Sequence, residues 1–207
     1  GEMLVAINDM SITEHITPAF LRQHQDFICG AAVIVVDCNI SESALAWLME
    51  NSGSTPIFVD PVSAWKCVKI SQHLGRIHTL KPNRIEAETL SGIALSGTDD
   101  VARVADWFHH HGLKRLVLSM GGDGVYYSER DGERGWSAPL KTQVVNVTGA
   151  GDAMMAGLAC CWLDGCSFSQ AVKFAQGCSS LALSSEFTNN PELSYANVKK
   201  VVEKEYV

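Results

Sequence analysis

The segment best equipped for chemistry is Asn146-Val147-Thr148-Gly149-Ala150-Gly151-Asp152. Two glycines within three residues open a long apolar run that reads as a helix from Ala150 to Leu163. The first N–H groups of a helix have no partner inside it. Those of Gly149, Ala150 and Gly151 would therefore point at an anion, and the helix dipole adds to the attraction. Asp152 falls in the first turn beside that anion, where a carboxylate can take a proton from an attacking hydroxyl. A plainer account competes, because carboxylates favour any helix start and glycines any turn. On spacing alone the two accounts stand level. The segment is neither a P-loop nor a dinucleotide fingerprint: no Lys follows the glycines, and Met154 holds the place of a third glycine.

Elements that could position this segment alternate along the chain. Strands are expected at Val33 to Asp37, Pro56 to Pro61, Ile77 to Leu80 and Arg115 to Ser119. Between them fall helical patterns: Ser41 caps one through about Glu50, another covers Trp65 to His73, a third Ile85 to Leu90, and a fourth Asp99 to His111. Val125 to Tyr127 and Val144-Val145 read as further, antiparallel strands. Phe168 to Leu183 and Tyr195 to Lys204 read as helices. Met3 to Ile7 looks like a lone strand without a partner. This alternation implies βαβ units in a largely parallel sheet, whose ligands sit beyond the carboxyl ends of the strands. The positions to search are thus Asp37, Asn39, Asp60, Lys81 to Glu86, Ser119 to Gly124 and Asn146 to Asp152.

Three of these segments together resemble the ribokinase-type (PfkB) sugar and nucleoside kinases. Thr148-Gly149-Ala150-Gly151-Asp152 resembles the C-terminal signature of that family. Asn83-Arg84-Ile85-Glu86 resembles its Asn-x-x-Glu motif, and Ser119-x-Gly121-x-x-Gly124 its nucleotide-contacting turn. Leu80 to Gly92 and Val145 to Met155 resemble, more narrowly, the bacterial members that phosphorylate pseudouridine. The resemblance runs over essentially the whole chain. It implies an α/β fold, a ribokinase-like three-layer αβα sandwich with a mostly parallel central sheet and the lid largely missing. It further implies one kinase domain over 1–207, lacking the N-terminal third of the family. In that scheme 1–10 are a remnant of the lid strand and 30–207 the nucleotide-binding and catalytic core.

The roles implied are these. Asp152 is the base acting on the 5′-hydroxyl of a nucleoside, and Gly149, Ala150 and Gly151 form the anion hole for the transferring phosphoryl group. Asn83 and Glu86 organise magnesium and its waters. Ser119, Gly121, Gly124 and Thr148 contact ATP, and Gln176 lines the adenine pocket. The helix N-terminus should keep Asp152 ionised and therefore a weak base, which suffices where phosphoryl transfer passes through a loose transition state. Taken alone, Asn83 is a turn residue after Pro82 and Glu86 a solvated helix start. Asn146 stands where the family usually carries Asp, which leaves any potassium requirement open. Members commonly dimerise through their lids, so a homodimer is expected of the full-length protein. Three functions remain open: ATP-dependent phosphorylation of pseudouridine, the same reaction on another sugar or nucleoside, and nucleotide binding without turnover.

Composition narrows the field from outside. The chain has 207 residues, 46% hydrophobic and 19% charged, which excludes general disorder. A net charge of −7 argues against a nucleic-acid surface. No apolar run reaches the roughly 18–20 residues of a membrane span, and a cytoplasmic location is expected. Seven cysteines with no Cys-x-x-Cys pair read as buried reduced thiols. His109, His110 and His111 point three ways around a helix end, so they suit its dipole rather than a metal. Trp47, Trp65, Trp107 and Trp162 are expected to pack on helix faces.

Overall fold

The computed structural model describes residues 9–206. The strand expected over Met3 to Ile7, and with it most of the proposed lid remnant, lies outside the described residues. Aliphatic runs form four parallel strands, β1 (Ile34–Asp37), β2 (Ile57–Asp60), β3 (Thr79–Leu80) and β4 (Arg115–Ser119). An antiparallel hairpin, β5 (Val125–Glu129) and β6 (Arg134–Ser137), completes a six-stranded sheet in the order β1-β2-β3-β4-β5-β6.

Nine α-helices surround the sheet among the described residues: α1 (Pro18–Gln23), α2 (Gln25–Cys29), α3 (Glu42–Asn51), α4 (Ala64–Cys67), α5 (Arg84–Ser91), α6 (Thr98–His110), α7 (Ala150–Leu163), α8 (Phe168–Leu183) and α9 (Tyr195–Tyr206). Local chemistry sets their starts. Ser41 accepts a bond from Ala44 N at the head of α3, and Ser167 caps α8 through Gln170 in a capping box.

The two-residue period of the strands divides the core between two faces. Ile57 and Val59 of β2, with Leu116 and Leu118 of β4, pack against Leu45 of α3 and Phe108 of α6. Phe58, Val117 and Val125 turn the other way, onto Met155 and Leu158 of α7 and Val172 of α8. Helix α9 lies outside α8 through Val198. The result is the three-layer αβα sandwich that the family resemblance implies, on the largely parallel sheet expected from the alternation of strands and helices.

Some expectations fail at the level of single elements. Val144-Val145 is not a strand: both side chains are exposed, and Val145 N donates to Leu183 O at 2.8 Å. The antiparallel partner of β5 is β6, an edge strand whose Arg-Gly-Trp-Ser sequence shows little apolar alternation. Short helices cover most of residues 11–29. Trp65 is 87% exposed rather than packed. His109 is buried instead of offering charge to the helix end. Its ring nitrogens lie 3.0 Å from Leu113 O and 2.7 Å from Ser128 Oγ, and burial lowers its pKa.

Candidate active site

Strand register assembles the site. Asp37 pairs with Asp60, Val59 with Leu80 and Leu80 with Leu116, and Asn83 bridges to Ser119. The residues that end the strands, Asp37, Asp60, Lys81, Asn83 and Ser119, are thereby set side by side along the carboxyl edge of the sheet. Lys81 Nζ lies 2.9 Å from Asp60 Oδ2 with both side chains largely buried. The other Asp60 oxygen accepts from Val62 N at 2.9 Å, and Val62 adopts a φ of 69°. A β-branched residue in the left-handed region is strained by about 1–2 kcal/mol, so the turn holding Asp60 is bought at a cost in backbone energy.

Above this edge stands the start of α7. Asn146 Oδ1 accepts from Thr148 N at 2.9 Å and Asn146 Nδ2 donates to Glu186 O at 3.3 Å, which turns the chain into the helix. Gly149 is the N-cap at φ 87°, with no side-chain cap on the N–H groups that follow. Asp152 occupies the first turn, exposed on the mouth of the site. Its carboxyl is pushed above its ordinary value, chiefly by burial of its inner side and then by the Asp60 carboxylate, with Lys81 pulling the other way. Burial, rather than the helix dipole expected from the sequence, thus dominates this carboxyl.

Helix α7, the loop of residues 138–148 and the turn after β4 enclose a cleft of about 910 Å³. Among the residues named from the sequence, Asn83, Ser119, Gly121, Gly124, Ala150, Gly151 and Gln176 line it. Gly149, Thr148, Asp152 and Glu86 flank it without lining it. Asn83 and Glu86 form a capping box at the head of α5: Asn83 Oδ1 accepts from Glu86 N at 2.9 Å, and Glu86 Oε2 accepts from Asn83 N at 2.8 Å. Burial raises the Glu86 carboxyl, the Asn83 N–H opposes the rise, and Asp60 adds to it. Among the described residues no set of three or more His, Cys, Asp or Glu side chains converges as a metal site.

Gln176 spends its amide on the protein. Its Oε1 accepts from Ser137 Oγ and its Nε2 donates to Ala138 O at 3.0 Å, fixing the end of β6 as the cleft wall. Ser119 Oγ likewise donates to Pro82 O at 3.3 Å. Sequence reasoning gave no role to Lys81 or Lys141, both of which line the cleft. The signal available for Lys81 was its place at a strand end next to Asp60.

Comparison with known proteins follows this geometry. The model of the pfkB family of carbohydrate kinases matches residues 3–194. The chain is 71% identical over 203 residues to the pseudouridine kinase of Escherichia coli (strain K12), covering 98% of this chain and 65% of that protein. A Clostridium perfringens protein provisionally described as a sugar kinase superposes with a TM-score of 0.90 at 32% identity, over 99% of this chain and 64% of that one. The ribokinase of Thermotoga maritima shares the fold, with a TM-score of 0.82 at 17% identity over 92% of this chain and 62% of that one. The chain thus spans slightly less than two thirds of these relatives. With the signature segments gathered on one cleft and the family model running over nearly its full length, the chain belongs to the pfkB family of carbohydrate kinases.

Proposed function

We propose that this cleft binds ATP with magnesium and passes the γ-phosphoryl group to the 5′-hydroxyl of pseudouridine, giving pseudouridine 5′-phosphate and ADP. The observation that carries the reading is the start of α7. Helix α7 starts without a side-chain cap at Gly149, Ala150 and Gly151 of its first turn line the cleft, and a carboxylate of raised pKa, Asp152, stands in the same turn. The identity of the acceptor is supported by the 71% identical relative, which bears that name.

In this mechanism the nucleotide lies along the cleft. Its phosphates run past the Ser119 to Gly124 turn, with Thr148 at their far end, and its base reaches the wall that Gln176 braces. The acceptor oxygen forms a bond to the γ-phosphorus as the bond from that phosphorus to the bridging oxygen breaks. ADP leaves with the electron pair, and the hydroxyl proton passes to Asp152. The helix N-terminus and the N–H groups of Gly149, Ala150 and Gly151 neutralise charge on the oxygens in flight, where most of the catalysis of phosphoryl transfer lies. Magnesium bound with the nucleotide would supply charge neutralisation on the phosphates, and Asn83 and Glu86 would hold its waters, Glu86 accepting through Oε1, the carboxylate oxygen that the mutual cap leaves over. The reading places the protein in the cytoplasm, where ATP is drawn from the common pool, and expects a homodimer of the full-length protein. The test is to incubate the protein with ATP, magnesium and pseudouridine, uridine or ribose separately and identify products by mass spectrometry. A 5′-monophosphate of pseudouridine is expected, and a folded, ATP-binding protein that makes no phosphorylated product from any of the three overturns the reading.

A further inference from the structure

Lys81 stands in an electrostatically costly place. Its ammonium is almost wholly withdrawn from water, with a side-chain exposure of 7%. It also lies against the first turn of α7: a Cβ added to Gly151 would stand 3.3 Å from Lys81 Nζ. That turn is the positive end of the helix, where a cation is repelled. A buried ammonium carries a large desolvation penalty unless its hydrogen-bonding capacity is met. Asp60 supplies one carboxylate oxygen at 2.9 Å, and an ammonium has three protons to donate. Asp60 is itself fixed by the strained turn at Val62. The backbone thus pays to hold a cation where the helix disfavours it, on the wall of the cleft.

An anion held by both positive groups removes the conflict. We propose that Lys81 is a catalytic residue of this kinase: its ammonium, anchored by Asp60 and standing beside the first turn of α7, touches the transferred phosphoryl group together with the α7 N–H groups. This deepens the reading of the site given above and rests on it. Chemically, the helix supplies partial charges and Lys81 a full one. Together they hold the group as its bond to the bridging oxygen breaks and its bond to the acceptor oxygen forms. No proton moves at Lys81.

The experiment compares Lys81→Met, Lys81→Arg and the double variant Asp60→Asn/Lys81→Met with the unaltered protein. Turnover with ATP and pseudouridine is read beside binding of ADP and of a non-hydrolysable ATP analogue. Lys81→Met is expected to lower kcat by roughly 10²–10³-fold, the loss typical of one oxyanion donor, with ADP affinity held within about twofold. Lys81→Arg should recover part of it, since the charge returns. The double variant removes the unpaired Asp60 carboxylate that Lys81→Met leaves behind. It should fold well and still be as slow as Lys81→Met. If the double variant regains activity, Lys81 serves only to neutralise Asp60 and the proposal fails. If the unaltered protein phosphorylates nothing, the proposed reaction fails separately. The binding arm then decides Lys81 alone: loss of the triphosphate analogue by at least about tenfold with ADP retained supports contact with the terminal phosphoryl, and equal affinities overturn it.

Discussion

Gly149→Ala perturbs the site at the turn that opens α7 and sets up the proposed anion hole. Gly149 has a φ of 87°, and a Cβ added there would stand 2.4 Å from Thr188 O and 3.1 Å from Thr188 Cγ2. The left-handed conformation costs a residue with a Cβ roughly 1–2 kcal/mol. Relief of the clash requires the 184–194 segment or the first turn of α7 to move, adding about 1–3 kcal/mol typical of overpacking. The expected loss of stability is therefore about 2–5 kcal/mol. Gly165, just past the other end of α7, is the control: its φ is 70°, but a Cβ there meets nothing within 4 Å. Gly165→Ala should lose only the conformational part, about 1–2 kcal/mol. Urea denaturation measures both. Turnover separates them further, because displacing the N–H groups of the hole should lower kcat by roughly 10²–10³-fold in Gly149→Ala and leave Gly165→Ala unaffected. Equal losses of stability and equal turnover in the two variants would refute the argument that Thr188 fixes the hole.

Other consequences follow from single contacts. His78 is buried against Phe58 and Trp162, its Nε2 has no partner, and burial, with Lys114 and Arg115 nearby, lowers its pKa from 6.5 to about 4. The folded state disfavours its charged form, so the stability is whole above about pH 6.5 and drains as pH falls toward 4, by on the order of 3 kcal/mol. Urea midpoints across that range should fall more steeply for the unaltered protein than for His78→Leu. Asn83→Ala removes the cap of α5 and should cost about 0.5–2 kcal/mol, read by thermal melting. Gln176→Ala leaves Ser137 and Ala138 to lose their amide partner and should cost about 1–3 kcal/mol, while weakening ATP binding through the displaced end of β6. Calorimetric titration checks the second effect.

The parts of this fold that were legible in the sequence are those whose local pattern agrees with their tertiary place. β1, β2 and β4 are aliphatic runs, β2 and β4 largely buried within the sheet and β1 partly exposed at its edge, and α7 and α8 carry their start signals in Gly149 and Ser167, so pattern and structure coincide. β6 was hidden because an edge strand with one buried residue, Ser137, needs no apolar alternation. Val144 and Val145 misled for the converse reason: β-branched residues mark a strand only when a partner pairs with them, and here α8 takes the hydrogen bond instead. The start of α7 at Gly149 with Asp152 in its first turn was readable from the glycine spacing, which by itself left an anion site and a plain turn level. Asn83 and Glu86 were placed correctly after a strand end, where they cap α5, and Asn83 also lines the cleft; Glu86, however, is buried at 3% exposure rather than a solvated helix start. Lys81 could not be given a role, because its importance arises from the register between β2 and β3 and from its approach to Gly151. The raised carboxyl of Asp152 was invisible for the same reason: it comes first from burial in the assembled fold and then from Asp60 and Asp37, which belong to other strands.

The central claim is that Asp152 and the anion hole beside it transfer phosphoryl from ATP to pseudouridine. The most direct measurement is the rate of pseudouridine-dependent ADP release by the protein and by Asp152→Asn, with ADP affinity measured for both. The account predicts turnover in the first, a loss of roughly 10²–10⁴-fold in the second, and ADP affinities that agree within about twofold. Undiminished ADP release by Asp152→Asn would contradict it.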